Sequence, residues 1–361
     1  MKTDIRTGTV LDFAATAPWP YLTQRAAILA KMRCFFTEHG FLEVETPLLS
    51  RESVVDRFID PLRSGERFLQ TSPELAMKRL LASEMPSEVC GIWQCCKAFR
   101  REECGRLHNP EFTIVEWYHR DHDMAMGVRF LSDLAEELLG CGPAEVVTYA
   151  DMFPWGIDPH CASVSELRML ADHLGMEYPN GYDIYGDGED EAAVRDRWLD
   201  LIITWQLKFP LCCEYREEAP PVGGRPIIVT EYPASQAALA QTKLDKKGRL
   251  VAERFELFAG GVELANGYHE LCDAAELRRR FCRNNSLRLA DGAAGGGISI
   301  PERLLAAMES GMPVTTGCAL GFDRTVMLAI DRANHLYNDD SRNSLTHCRI
   351  DDVIPFPWDR A

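Results

Sequence analysis

An α+β fold is predicted by three observations on the sequence. Residues 20–40 carry apolar side chains at helical spacing, two strand-like runs at 92–100 and 111–118 flank a polar loop, and Gly260–Gly261 sits between two more strand-like runs in the manner of a two-residue hairpin. In the first element, Leu22, Ala26, Leu29, Met32 and Phe36 form the stripe and Gly40 suits the stop. Phe41–Pro47 (FLEVETP) reads as a strand closed by proline. Glu74–Ala82 is rich in helix formers and opens after Ser72–Pro73, with proline close to a first-turn position. The text between about 140 and 225 is the least regular. It holds the acidic, turn-rich YPNGYDIYGDGEDEAA and the cluster APPVGGRP, and reads as an insertion or peripheral region within one domain spanning 1–361. Beyond it, Pro226–Thr230 reads as a strand, ASQAALAQ as a helix, residues 291–297 as a mobile loop, and GCALGFDRTVMLAI as a strand running into a helix. No internal repeat is visible, and the tail beyond 335 receives no role.

Composition narrows the class. With 361 residues, 46% apolar and 26% charged, the chain can bury a large core as a soluble protein. No apolar run approaches the roughly 18 residues of a membrane span, and the first 20 residues lack the apolar core of a signal peptide. The 13 cysteines include the neighbours Cys95–Cys96 and Cys212–Cys213 and no CxxC spacing, which suits free thiols in the cytoplasm and argues against structural zinc. A net charge of −16 argues against a broad grip on nucleic acid, though not against a local basic patch.

Three stretches carry chemistry. In Arg100–Tyr118 (RREECGRLHNPEFTIVEWY), a strand over 112–118 places Phe112, Ile114, Glu116 and Tyr118 on one face, with Thr113, Val115 and Trp117 on the other. A carboxylate between apolar neighbours needs a cationic or hydrogen-bonding partner, and a bound ammonium would serve. The Arg-, Glu-, His- and Asn-rich loop before it can clamp a phosphate and read a base edge. An edge strand with a solvated loop is the plainer alternative.

In Arg254–Glu270 (RFELFAGGVELANGYHE), the simple hairpin register sets Phe258 against Glu263 and Glu256 against Ala265. Glu256 and Glu263 then share a face as diagonal neighbours, about 7–8 Å apart at the backbone. Magnesium, bound through one or two carboxylates plus substrate phosphates, fits such a pair; two exposed glutamates on an ordinary hairpin remain the alternative. That register leaves Asn266 on the wrong side of the hairpin, and a bulge at Gly267 would correct it. His269–Glu270 begins like a zinc HExxH, but the pattern fails at Asp273. In the third stretch, Gly321 permits close backbone approach, and Arg324 at the head of a helix can meet an anion. Capping by Asp323 with a solvated Arg324 is the alternative. No Walker cradle and no GxSxG elbow occurs.

Taken together and in this order, GFLEVETPLL with Pro47, FRREE…RLHNPEFTIVEWY and GCALGFDR resemble the three signature motifs of class II aminoacyl-tRNA synthetases. TSPE, HNPEFT and ELANGYHEL bring the resemblance closest to the lysyl branch, over about residues 20–335, with 140–225 poorly matched. Within that branch the chain is more similar to the elongation factor P–lysine ligases. Only about 20 residues precede the core, too few for an anticodon-reading barrel, and Ala319 stands where lysyl-tRNA synthetases usually carry glycine.

The resemblance implies a class II catalytic core, an antiparallel sheet flanked by helices, and a homodimer formed through the first motif. It implies ATP as substrate, with Arg100 on the α-phosphate, Arg324 on the γ-phosphate end, and Phe112 stacked on adenine against Arg324. Glu102, His108 and Asn109 would position base and phosphates, with Leu264 and Gly321 also lining the ATP site. Glu256 and Glu263 would hold Mg2+. Glu74 would take the α- or β-amino group, with Ser72 and Pro73 beside it. Glu270 and Tyr118 would bind the distal ammonium, and Glu116, Asn266 and Ala319 would line the pocket. The methyl of Ala319 would narrow that pocket toward a β-amino acid. The implied reaction joins lysine or (R)-β-lysine, through an acyl-adenylate, to a lysine of elongation factor P. Transfer to tRNA and a non-catalytic amino-acid-binding regulator are the competing functions. Arg101 departs from the family's asparagine at that position.

Overall fold

The computed structural model describes residues 13–101, 103–178, 182, 191–208, 225–293, 295–337 and 348–361. Glu102, most of the acidic stretch 178–193 and most of the APPVGGRP cluster lie outside them. Helix α1 (Trp19–Glu38) ends at Gly40, whose φ of +75° is the left-handed stop expected of glycine. Its buried side is Ile28, Met32, Phe35 and Phe36, so Met32 and Phe36 of the expected stripe face the core while Ala26 is exposed. Strand β1 (Phe41–Glu43) is shorter than the predicted Phe41–Pro47 run and pairs in parallel with β5. A small sheet follows from β2 (Leu49–Ser50), β3 (Arg63–Ser64) and β4 (Arg67–Leu69).

Helix α2 (Glu74–Leu81) starts immediately after Pro73, as the sequence predicts. The two runs around the polar loop are β5 (Gly91–Phe99) and β6 (Glu111–Arg120), paired antiparallel. Then come α3 (Met124–Leu139), β7 (Glu145–Thr148), α4 (Val164–His173) and α5 (Glu191–Lys208). Strands β8 (Ile227–Pro233), β9 (Thr242–Leu244), β10 (Leu250–Ala259) and β11 (Val262–His269) precede α6 (Ala274–Ala290) and α7 (Glu302–Gly311). The third motif is β12 (Thr315–Gly321) running into α8 (Phe322–Tyr337), as predicted.

Among the described residues the main sheet has nine strands in the order β1-β5-β6-β12-β11-β10-β8-β7, with β9 on β10. Its centre is antiparallel, and only the pairs β1–β5 and β7–β8 are parallel. One face packs on α1, α3 and α8 through a core that includes Phe36 stacked on Trp93 (4.5 Å, 7° between planes). The other face carries the site, beside a core in which Ile92 and Tyr118 pack on α2, α6 and α7. A second core joins α4 and α5 to β8 and β10, so the stretch read as peripheral is seated on the main sheet through Trp198, Ile202 and Val229.

The segment ASQAALAQ is not a helix beyond one 3-10 turn at Ala234–Gln236. Ala238 takes φ +46°, and the Ala238 and Ala240 carbonyls accept instead from the Arg280 guanidinium at 2.7 and 2.8 Å. An alanine-rich run therefore yields its helical bonds to a tertiary partner. The tail also has a place: Trp358 N–H donates to Asn109 Oδ1 at 2.8 Å, and Ile350 N–H to Arg106 O at 3.0 Å. No helix among the described residues is long and apolar enough to cross a membrane.

Candidate active site

Strand register builds the floor of the site. Along β6, Phe112, Ile114, Glu116 and Tyr118 point to the open face, while Val115 and Trp117 enter the core. Across the sheet, Glu116 lies beside Ala319, Ala319 beside Asn266, and Asn266 beside Glu256. The next row is Tyr118, Gly317, Tyr268 and Arg254. The hairpin turns at Gly260 (φ +56°) and Gly261 (φ +72°), the type I′ geometry that only such residues adopt freely. Phe258 does face Glu263, but Leu257 faces Ala265 and Glu256 faces Asn266. A bulge does the work expected of it, at Leu264 and not at Gly267. Leu264 and Ala265 both turn to the core, so Glu263 and Asn266 share the site face. Leu264 thus reaches the site only beside its neighbours.

These rows floor one cavity of about 780 Å³. Arg100, His108, Asn109, Phe112, Glu263 and Arg324 line one part, and Ser72, Glu74, Glu116, Tyr118, Asn266, Glu270 and Ala319 line another. The predicted phosphate and amino-acid groups therefore meet in one cleft. Helix α5 adds Asp196, Arg197 and Asp200 to its wall, which sequence reading missed. Those residues come from the irregular stretch, and their only signal was that α5 carries acids among apolar residues.

At the phosphate end, Arg324 is held three ways. Its Nε donates to Leu107 O (3.2 Å), its Nη1 to Glu263 O (2.9 Å), and its Nη2 to His108 Nε2. Burial and the Arg324 charge lower the His108 pKa, so the imidazole is a neutral acceptor. The Arg100 guanidinium lies over the Phe112 ring, 5.0 Å from its centroid, while Arg324 is held by the 107–108 turn and β11. Asn109 donates to Glu111 O at 2.6 Å and accepts from Trp358 N–H, which fixes its amide in the loop where it lines the cavity. A Cβ at Gly321 would meet no protein atom closer than 3.7 Å. The tight position is Gly317. Asp323 accepts from Thr113 N–H and pairs with Arg25, a structural role.

Glu256 and Glu263 are close enough to interact. Desolvation in the cleft and then the Glu256 charge raise the Glu263 pKa, while Arg324, Arg254 and Arg100 pull it back. Glu256 is held behind the cavity wall: Oε1 accepts from Arg254 and from Asn266 (2.8 Å), and Oε2 from the Tyr232 hydroxyl (2.7 Å). One lone pair on Oε2 is left, and Glu263, at the cleft mouth, is 44% exposed. The open carboxylate of Glu263, with the free lone pair of Glu256 behind it, is the donor set that could take a divalent cation here.

At the other end, Glu116 accepts from Ser72 Oγ and from Tyr118 Oη, each at 2.6 Å, and Ser72 Oγ accepts from Glu74 N–H at 3.1 Å. Lys78 reaches Glu74 Oε1 and Glu270 Oε2, each at 2.6 Å. It was missed in the sequence, although its i,i+4 spacing from Glu74 on a predicted helix was a signal. Burial, with Glu74 as a like charge, pushes Glu116 up to about 7. Burial pushes Glu270 up to about 8, although Lys78 pulls it down.

Carboxyls raised above their unfolded value bind more protons when folded, so their stabilising contribution is present at low pH and falls as pH climbs from about 4.5 toward 8. Glu116→Gln is therefore expected to flatten the fall in melting temperature of the ligand-free protein between pH 5 and 8. An unchanged slope in thermal melts would contradict a buried, titrating Glu116.

The sequence profile described as tRNA synthetases class II (D, K and N) matches residues 6–360, more than the 20–335 expected and including the tail and the irregular stretch. The chain belongs to this class II synthetase family and is a ligase-type enzyme of it. It is 40% identical over 360 residues to the elongation factor P–(R)-β-lysine ligase of Klebsiella pneumoniae (strain 342), covering 96% of this chain and 97% of the relative. The protein of that name from Edwardsiella ictaluri is 38% identical over 359 residues, with 96% and 97% covered. That from Salmonella arizonae is 39% identical over 366 residues, with 96% and 99% covered.

Proposed function

We propose that this single catalytic domain activates lysine or (R)-β-lysine with ATP and joins it to a lysine side chain of elongation factor P. The observation that carries the reading is the cavity itself, with arginines and a carboxylate pair at one end and three buried carboxylates at the other. Arg100 and Arg324 bind the triphosphate, and Glu263 with Glu256 would hold Mg2+, which supplies charge neutralisation on the phosphates. Glu74 and Glu270 orient the two ammonium groups, and Glu116, fixed by Ser72 and Tyr118, keeps the pocket anionic. The substrate carboxylate attacks the α-phosphorus in line and pyrophosphate leaves, with no protein nucleophile. The acceptor amine then attacks the carbonyl carbon of the mixed anhydride, forming the amide as AMP departs and the amine loses a proton.

The ligase names of the relatives support elongation factor P over tRNA as acceptor. Exposed Leu42, Leu48 and Leu49 around Pro47 support a homodimer through the first motif, and the free cysteines among the described residues support a cytoplasmic setting. Purified protein is expected to catalyse ATP–pyrophosphate exchange that requires lysine or β-lysine. Mass spectrometry of co-expressed elongation factor P should find one added lysyl residue. Absence of exchange with either amino acid rejects the enzymatic reading, and exchange with transfer only to tRNA rejects the acceptor.

A further inference from the structure

We infer that Lys78 is a positioning residue that sets the charge of the amino-acid pocket: its ammonium bridges Glu74 and Glu270 from behind the wall and tunes the site to a ligand with two ammonium groups. This rests on the diamino-acid reading above. Lys78 is 2% exposed, and the cavity is lined by Glu74, Glu116 and Glu270 without it. Its Nζ sits 2.6 Å from Glu74 Oε1 and 2.6 Å from Glu270 Oε2, leaving the second oxygen of each carboxylate for the cavity. Glu270 Oε1 lies against Gly317, on the face where Tyr118 also stands. Once two ligand ammonium groups have displaced the carboxyl protons, three carboxylates would carry −3 and Lys78 would bring the sum to −2, the charge those two groups cancel.

A buried cation between two buried acids is retained only when both partners are in place, because removing one leaves an uncompensated charge. Here the cation cannot serve as an acid, since burial is outweighed by the Glu270 and Glu74 charges and its pKa lies above that of a free lysine. The groups facing the Lys78–Glu270 pair are Glu74 on α2, Glu116 and Tyr118 on β6, Tyr268 on β11, Cys272 beyond it and Cys318 on β12. All the others are neutral or anionic. With Lys78 in place an incoming ammonium has to displace a proton from Glu270, and without Lys78 that carboxyl would rise further, so the displacement would cost more binding free energy at pH 7.

The test is amino-acid-dependent ATP–pyrophosphate exchange across pH 6–9.5 for the wild type, Lys78→Met, Lys78→Gln and Lys78→Arg. Glutamine keeps two N–H donors for the carboxylates but no charge. In Lys78→Met or Lys78→Gln the amino-acid KM at pH 7 is expected to rise on the order of 10–100-fold and to recover as pH rises, while the KM for ATP stays within about twofold. Lys78→Arg, which keeps the charge, should retain the wild-type pH profile. A neutral variant that folds and keeps the wild-type KM and pH profile overturns the inference. So does a result in which only Lys78→Arg folds, because the ammonium is then a requirement of folding. If the wild type itself shows no exchange, the failure belongs to the proposed function and not to Lys78.

Discussion

Replacing Arg324 with alanine is expected to lower kcat for adenylate formation by roughly 10²–10³-fold, the cost of removing one preorganised charge from a transition state. The guanidinium is already aimed before any nucleotide arrives. Three acceptors on two different segments, Leu107 O, Glu263 O and His108 Nε2, fix its plane. A charge fixed in this way does not have to reorganise when negative charge shifts to the departing pyrophosphate, which is why its loss should appear in kcat and not only in KM. Lysine in its place keeps the charge but cannot donate in three fixed directions, so Arg324→Lys should recover only a small part of the rate. The side chain is 23% exposed, so melting temperature should change little. Stopped exchange assays and parallel melts check this. An alanine variant within threefold of the wild-type kcat would remove Arg324 from the mechanism. The same variant carries an internal marker, since without the Arg324 charge the His108 pKa should move back toward its ordinary value.

Much of this arrangement was legible in the sequence where short-range rules govern. The period of two correctly assigned both faces of β6, and two adjacent glycines specified the hairpin turn, because such features depend on local backbone geometry. What sequence reading misplaced depended on tertiary partners. ASQAALAQ reads as a helix by propensity, but Arg280 takes its carbonyls. The bulge was inferred correctly from the mismatch of Glu263 and Asn266, yet its position depends on which residue the core accepts, and the core takes Leu264. The hydrogen bond from Trp358 to Asn109 could not be read at all, because the two residues lie 249 apart. Lys78 was hidden for the same reason: one acid it bridges is four residues off, but the other arrives from just beyond the end of β11.

Gly317→Ala is expected to abolish amino-acid activation, lowering kcat/KM by on the order of 10³-fold and stability by about 1–3 kcal/mol, the usual cost of overpacking. The backbone at Gly317 is ordinary strand, hydrogen-bonded between β6 and β11, so conformational strain is not the cause. The space is. A Cβ there would lie 2.2 Å from Glu270 Oε1 and 2.4 and 2.6 Å from Cε1 and Cδ1 of Tyr118. Neither neighbour is free to yield, because the Tyr118 hydroxyl is bound to Glu116 at 2.6 Å and Glu270 is held by Lys78 at 2.6 Å. A methyl must displace one of them, and either movement breaks the anionic wall that would grip the distal ammonium. Gly321, four residues along the same strand and on the same face, provides the control. Its added Cβ would meet no protein atom closer than 3.7 Å, so Gly321→Ala should keep the wild-type melting temperature and amino-acid KM, any loss falling on the KM for ATP. If Gly317→Ala kept the wild-type amino-acid KM and melting temperature, the amino-acid pocket would have to be moved away from this row of β12.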